Sequence, residues 1–323
     1  MPKKRTKAPG RNERIKISLK QLFDMFPDDQ AARKWFEDTR WKNGRFCPNC
    51  GSVETIHIPK EKPLPYYCRV CRRHFSVKSG TVMHRSKVSL RDWAIGIYLL
   101  STSLKGVSSM KLYNDLEYTQ KTTWQLAHKI REGWERGKLK LSGIVEVDES
   151  YFGGRERNKH ANKKLRAGRG TVGKQAVLGI KERGGQIRTM HVKSTDASTL
   201  QRQLYKHVEL GAIVCTDEHK SYIGIDRFFK HKAVKHSAGE FVDGMAHVNG
   251  IESHWAMMKR GYHGTYHRMS PKHLQRYVDE FQGRHDVRGM DTIEQMETMV
   301  KNFDGKRLTY KQLTEDPEKN PQQ

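Results

Sequence analysis

Asn249-Gly250-Ile251-Glu252-Ser253-His254-Trp255-Ala256-Met257-Met258-Lys259-Arg260 decides how this chain folds. It is read together with an earlier apolar run, Ala212-Ile213-Val214-Cys215, that stops at Thr216-Asp217; 34 residues separate Asp217 from Glu252. Further upstream Val145-Glu146-Val147-Asp148 also closes on an acid. Two strands each ending in aspartate, followed by a helix bearing glutamate, can put three carboxylates around one point. That arrangement holds two divalent cations for in-line attack on a phosphodiester. Magnesium prefers hard oxygen ligands and keeps several waters, so few protein ligands suffice. Glu252, Trp255 and Lys259 stand at i, i+3 and i+7 and so share one helical face. Lys259 lies about 10 Å along the axis from Glu252 at 1.5 Å per residue. A solvated, salt-bridged helix would explain Glu252 alone, because most helical glutamates are exposed. The pair of strand-end aspartates outweighs that reading.

Outward from these acids the pattern is α/β. Gly143 to Asp148 reads as a buried strand. Glu149 competes with Asp148 as a ligand, but alternate strand residues face opposite sides, so only one of the two points at the site. Glu146 shares Asp148's face; Asp148 is preferred because it stands at the strand end. Gln175 to Lys181 alternates as a strand, and Gly184-Gly185 turns it into an antiparallel partner, Gln186 to Val192. Ser198 to Val208 reads as a helix and Ala212 to Thr216 as the next strand. Three antiparallel strands, a helix and a strand returning beside the first match a ribonuclease-H-like core, with Asp148 and Asp217 on neighbouring strands. Cys215 reads as a packed core thiol. Arg155 to Lys174 holds eight Lys or Arg and one Glu, interrupted by glycines: a flexible basic loop suited to DNA. Gly261 to Tyr266 breaks the Glu252 helix, and Pro271 starts another that covers the sheet. Of His247, His254, His263, His267 and His273, most read as surface or packing residues. Beyond Arg288 the chain is polar, and Asp316 to Gln323 reads as disordered.

The N-terminal part carries different chemistry. Lys and Arg number 61 against 36 Asp and Glu in 323 residues, a net charge of +25, which implies a polyanionic partner with nucleic acid the default. No run of 18 apolar residues exists, so no membrane span is expected, and Met1-Pro2-Lys3-Lys4-Arg5 begins a basic tail rather than a secretory signal. Ile17 to Thr39 reads as helical with a break near Pro27, Leu19, Leu22, Phe23 and Phe26 forming its apolar face. Cys47-Pro48-Asn49-Cys50 and Cys68-Arg69-Val70-Cys71 stand 17 residues apart. Two such knuckles make a four-thiolate site for one structural zinc; disulfides are the alternative, disfavoured in a reducing cytosol. Ser86 to Trp134 reads as three helices, with Ser89 an N-cap. The last two resemble a helix-turn-helix, placing Lys121, Thr122, Thr123 and Gln125 towards a major groove. The expected division is residues 1–45 (tail and helical segment), 46–85 (zinc ribbon), 86–142 (helical DNA-binding or linker domain), 143–290 (catalytic domain) and 291–323 (polar tail).

These motifs resemble a known family. CPNCGS from Cys47, YYCRVCRRHFSVKSGTVMHRSKVSL from Tyr66, VEVDESYFGG from Val145, VCTDEHKSY from Val214 and HVNGIESHWAMMKRGYHGTYHRMSPKHLQRYVDEF from His247, trailed by GRHDVR, are similar to prokaryotic insertion-sequence DDE transposases with an N-terminal zinc ribbon, relatives of the eukaryotic Merlin elements. The likeness spans roughly Ile17 to Arg288. It implies a two-metal core with Asp148, Asp217 and a third ligand, and Lys259 in the active site. Some relatives have asparagine as the third ligand, which makes Asn249 the alternative to Glu252; the 34-residue gap and the seven-residue step to Lys259 favour Glu252.

The resulting expectation is a DNA transposase using two Mg²⁺ (or Mn²⁺) ions and one structural Zn²⁺. It would bind inverted-repeat ends and target DNA as a dimer or larger, in the prokaryotic cytoplasm at the nucleoid. A DNA-binding regulator with a silent catalytic fold and a structure-selective nuclease of the same fold are the alternatives.

Overall fold

A computed structural model describes residues 14–60, 63–134, 140–154, 156–165, 170–234 and 247–315. The basic N-terminal tail, much of the Arg155–Lys174 segment and Asp316 to Gln323 lie partly or wholly outside the described residues. The chain divides into two compact units. One comprises Met1–Ser103, Val107–Glu135 and Val287–Gln323; the other Leu104–Gly106 and Arg136–Asp286.

The first unit opens with α1 (Leu19–Met25) and α2 (Asp29–Arg40), each started by a side-chain cap, Ser18 and Asp28. Leu22 and Phe26 are buried as their spacing requires, but Leu19 and Phe23 stay 44% and 41% exposed, because seven residues make too short a helix to bury every apolar position. Three short antiparallel strands follow: β1 (Thr55–His57), β2 (Tyr66–Cys68) and β3 (His74–Phe75). Trp41 packs edge-on against Tyr66 and Phe75, so the ribbon's hydrophobic support comes from the end of α2. The four cysteine sulfurs lie within 4.8 Å of one another. Cys47 and Cys71 sulfurs are 3.5 Å apart and Cys50 and Cys68 sulfurs 3.6 Å, close to the ~3.8 Å edge of a tetrahedron with 2.3 Å zinc–sulfur bonds. Backbone N–H groups of Asn49 and Cys71 point at Cys47 and Cys68 Sγ, as a thiolate requires. The residues therefore fit zinc.

Helices α3 (Leu90–Thr102), α4 (Ser109–Leu116) and α5 (Gln120–Arg131) begin at Ser89, Ser108 and Thr119 caps. Thr123 is fully buried and its hydroxyl donates to the Ser109 carbonyl, so it ties α5 to α4 and is not free for a groove. The segment expected to be a polar tail folds as α9 (Thr292–Lys301) and α10 (Tyr310–Thr314). Met296, Met299, Val300 and Phe303 are buried, and Phe303 meets Trp93 at 5.9 Å. Apolar residues at three- and four-residue spacing make one helical stripe even where mean polarity is high.

The second unit is a five-stranded sheet with helices on both faces. Its strands are β4 (Ile144–Phe152), β5 (Gln175–Glu182), β6 (Ile187–Val192), β7 (Ile213–Thr216) and β8 (Lys230–Ala233), in the order β6-β5-β4-β7-β8. β4, β5 and β6 are antiparallel; β7 runs parallel to β4, and β8 parallel to β7. The fifth strand, Lys-His-Lys-Ala, carries no apolar alternation and was not expected. α6 (Ala197–His207) buries Leu200 and Leu204 against Val145, Val147, Leu178 and Val214. On the other face α7 (Asn249–Gly261) and α8 (Pro271–Asp286) bury Ile251, Trp255, Met258, Val278 and Phe281 over Val177 and Ile187. α8 also seals the sheet's edge. Gln282, Gln275 and Asp286 accept from the N–H groups of Thr189, His191 and Ile187, every second residue of β6, replacing a missing strand.

Candidate active site

β4 does not stop at Asp148. It pairs with β5 as far as Phe152, so Asp148 sits mid-strand, opposite Gly179. What ends near Asp148 is the other neighbour. Glu146 is registered with Cys215 on β7, and two further residues on each strand bring Asp148 level with Asp217, just past the last residue of β7. The two aspartates therefore flank the point where the sheet opens between β4 and β7.

α7 crosses this face. Gly179 makes the approach possible: a Cβ there would lie 2.5 Å from the Trp255 ring and 2.6 Å from Ile251. Trp255 is buried, with its indole turned towards Asp148 but completing no hydrogen bond. Glu252 and Lys259 stand on the exposed flank of α7, so the shared face expected for these three residues divides, Trp255 inward and the two charged residues outward. Asn249 is the exposed first residue of α7. It does not cap the helix: the N-cap is Val248, with no side-chain bond.

The cap comes from the sheet. Glu146, 1% exposed, accepts from the Ile251 N–H at 3.0 Å and from Arg183 Nε at 3.0 Å, and His247 Nδ1 stands 3.3 Å from it. Gly250 makes room, since a Cβ there would meet Glu146 Oε2 at 2.6 Å. Glu146 thus fixes the start of the helix that carries Glu252. Sequence alone assigned it no role, though an acid between Val145 and Val147 must find partners once buried. Replacing Glu146 by alanine removes the carboxylate that pairs with Arg183 and uncaps α7. The expected loss is about 3–5 kcal/mol of unfolding free energy in urea titration. A loss below ~1 kcal/mol would contradict this role.

Burial raises the Asp148 carboxyl to about 6, with Asp217 and then Glu252 adding like-charge repulsion. Glu149 lies across the strand, hydrogen-bonded by the Tyr222 hydroxyl; burial raises it to about 7, with Asp217 and Asp148 again adding repulsion. Tyr222 was missed in sequence; its hydroxyl gives Glu149 a partner of its own. Asp217 is half-buried and its Oδ1 accepts from the His219 N–H at 3.0 Å. The structure therefore brings Asp148, Asp217 and Glu252 within electrostatic reach, although among the described residues only the four thiols gather within 4.8 Å. The three carboxylates are an oxygen-only set whose like charges repel one another, the donor chemistry that hard divalent cations favour. Of the histidines, His254 and His273 are buried and His247 leans on Glu146; His263 and His267 are exposed. Cys215 is fully buried beside Val234, a core thiol.

Known proteins resemble both units. Residues 140–286 match the family described as ISXO2-like transposase domain, and residues 27–74 match the transposase zinc-ribbon domain. A protein of Halobacterium salinarum, described as an uncharacterized protein in transposable element ISH50, is 28% identical over 290 residues, covering 85% of this chain and 97% of that protein. A solved structure of the simian T-cell lymphotropic virus intasome with PP2A regulatory subunit B56 gamma aligns with 14% identity over 54% of this chain and 65% of that chain, at a TM-score of 0.26. Among the described residues no helix is long and apolar enough to cross a membrane. The chain therefore carries an ISXO2-like transposase domain in its second unit and a transposase zinc-ribbon domain in its first.

Proposed function

We propose that this chain is a DDE-type DNA transposase that cuts and joins strands at the ends of an insertion sequence. What supports the reading is that Asp148 on β4 feels the charges of Asp217, just past β7, and of Glu252 on α7, three elements distant in sequence. The strand order β6-β5-β4-β7-β8 supports a ribonuclease-H-like core. Asp148, Asp217 and Glu252 would hold two Mg²⁺ or Mn²⁺ ions, which supply an activated oxygen nucleophile and charge neutralisation at phosphorus. Asn249, in the first turn of α7, is the alternative third ligand. Lys259, two turns beyond Glu252, binds and orients a phosphate of the strand being cut. The basic segment 155–174 holds flanking DNA, and the ribbon with the α4–α5 pair binds inverted-repeat ends. The ribbon's zinc is structural, because four thiolates leave no open position. Joining two ends calls for at least a dimer, in the nucleoid of a prokaryotic cell.

The test uses purified protein, the DNA flanking its gene and magnesium. Nicking at repeat boundaries followed by joining to a target duplex is the expected result. Cutting without joining or end preference would assign a nuclease instead. End binding with no divalent-dependent cutting would assign a regulator.

A further inference from the structure

Within the first unit a cavity of about 540 Å³ opens between the segment after the ribbon, α5 and the chain entering α10. α5 lines it with Thr122, Gln125 and Lys129, which at i, i+3 and i+7 form one helical face. The segment after the ribbon adds His84, Arg85 and Lys87, and the C-terminal segment adds Arg307 and Tyr310. Among the described residues that line it there is no aspartate or glutamate. Lys129 is 8% exposed, yet among the described residues neither it nor Arg307 has an ion-pair partner. Burial, then Arg307 and Lys78, lower the Lys129 ammonium; burial, then Arg307, Arg85 and Lys129, lower His84. Holding an uncompensated cation below the surface is unfavourable. A cavity that gathers such cations and no acid lacks an anion. The rim extends the charge: Lys121 Nζ lies 4.1 Å from the ring centroid of Tyr310, a lining residue. Cations thus continue from inside the cavity to its mouth, which suits a chain of phosphates better than a lone ion.

We propose that this cavity binds a backbone phosphate of a DNA strand through Lys129 and Arg307, so that the C-terminal segment completes the nucleic-acid surface of α5. The proposal rests on the reading of the chain as a DNA-acting enzyme, and it places the contact on the face Thr122–Gln125–Lys129 rather than on the helix start. Arg supplies a fork to phosphate oxygens and Lys a point charge.

Backbone contacts ignore sequence, so the test uses full-length protein and a random-sequence duplex, read by fluorescence anisotropy across a salt series. Arg307→Glu, an exposed position, and Lys129→Met, which keeps the buried stem, are each expected to weaken binding about three- to tenfold and to lower the slope of log affinity against log salt by about 1. Lys301→Glu, an exposed charge reversal on α9, is the control and should change the slope less than Arg307→Glu does. Unchanged affinity and slope in both cavity variants would overturn the proposal. So would calorimetry in which inorganic phosphate binds the wild type at this site while duplex binding ignores both substitutions, because the cavity would then take a free anion. Strand cleavage does not enter these measurements, so the cavity assignment and the enzymatic reading can each fail alone.

Discussion

Asp148→Asn is expected to lower strand cleavage by on the order of 10³-fold or more while leaving end binding intact, and to raise the stability of the metal-free protein. Both effects have one cause. Burial, and then the nearby Asp217 and Glu252, raise the Asp148 carboxyl from 3.8 to about 6. The folded chain therefore keeps this proton to higher pH than the unfolded chain does. Stability from this group is fully present below about 3.8, is lost as pH rises to about 6, and stays lost above. Glu149, raised from 4.5 to about 7, acts in the same direction. At pH above both values the metal-free site carries a penalty, on the order of 2–3 kcal/mol for Asp148 alone. Asparagine removes that share and with it the carboxylate proposed as a metal ligand. Thermal melts at acid and alkaline pH, with and without magnesium, check this. The gain in stability of the variant over the wild type should grow as pH rises from 4 to 7 without metal, and magnesium should stabilise the wild type more than the variant. A variant that still cuts, or one whose stability relative to the wild type does not grow over that range, would remove Asp148 from the site.

The antiparallel half of the sheet and the strand β7 are legible because each rests on a local signal. Val145 to Asp148 and Ala212 to Asp217 are apolar runs closed by acids, and Gly184-Gly185 marks the β5–β6 hairpin. What was hidden depends on partners far along the chain. The end of β4 was misplaced because Glu149 to Phe152 keep pairing with β5 after β7 has stopped. The role of Glu146 needed Arg183, His247 and Ile251, none adjacent in sequence. The C-terminal helices read as a polar tail because their few apolar residues are diluted by charge, though Met296, Met299 and Phe303 fill the first unit's core. Thr123 looked free to reach DNA until its hydroxyl was seen on the Ser109 carbonyl.

The second large effect is on the first unit. Chelating zinc, or replacing Cys68 by serine, is expected to unfold the ribbon and expose Trp41. Cys47 and Cys68 are 1% and 0% exposed and belong to the same buried cluster as Trp41, Tyr66 and Phe75. The three ribbon strands span only three, three and two residues, too little sheet to stand without a staple. Structural zinc supplies an apparent ~10–16 kcal/mol of folding free energy, comparable to the whole stability of an ordinary domain. Loss of β-ribbon circular dichroism, a red-shifted tryptophan emission and one zinc released per chain should therefore coincide. Zinc should restore all three and magnesium none, which separates this centre from the acids of the second unit. A disulfide-paired ribbon would behave in the opposite way. Reductant would then unfold it, chelator would not, and the four sulfurs would have to be reassigned as two covalent pairs rather than one metal site.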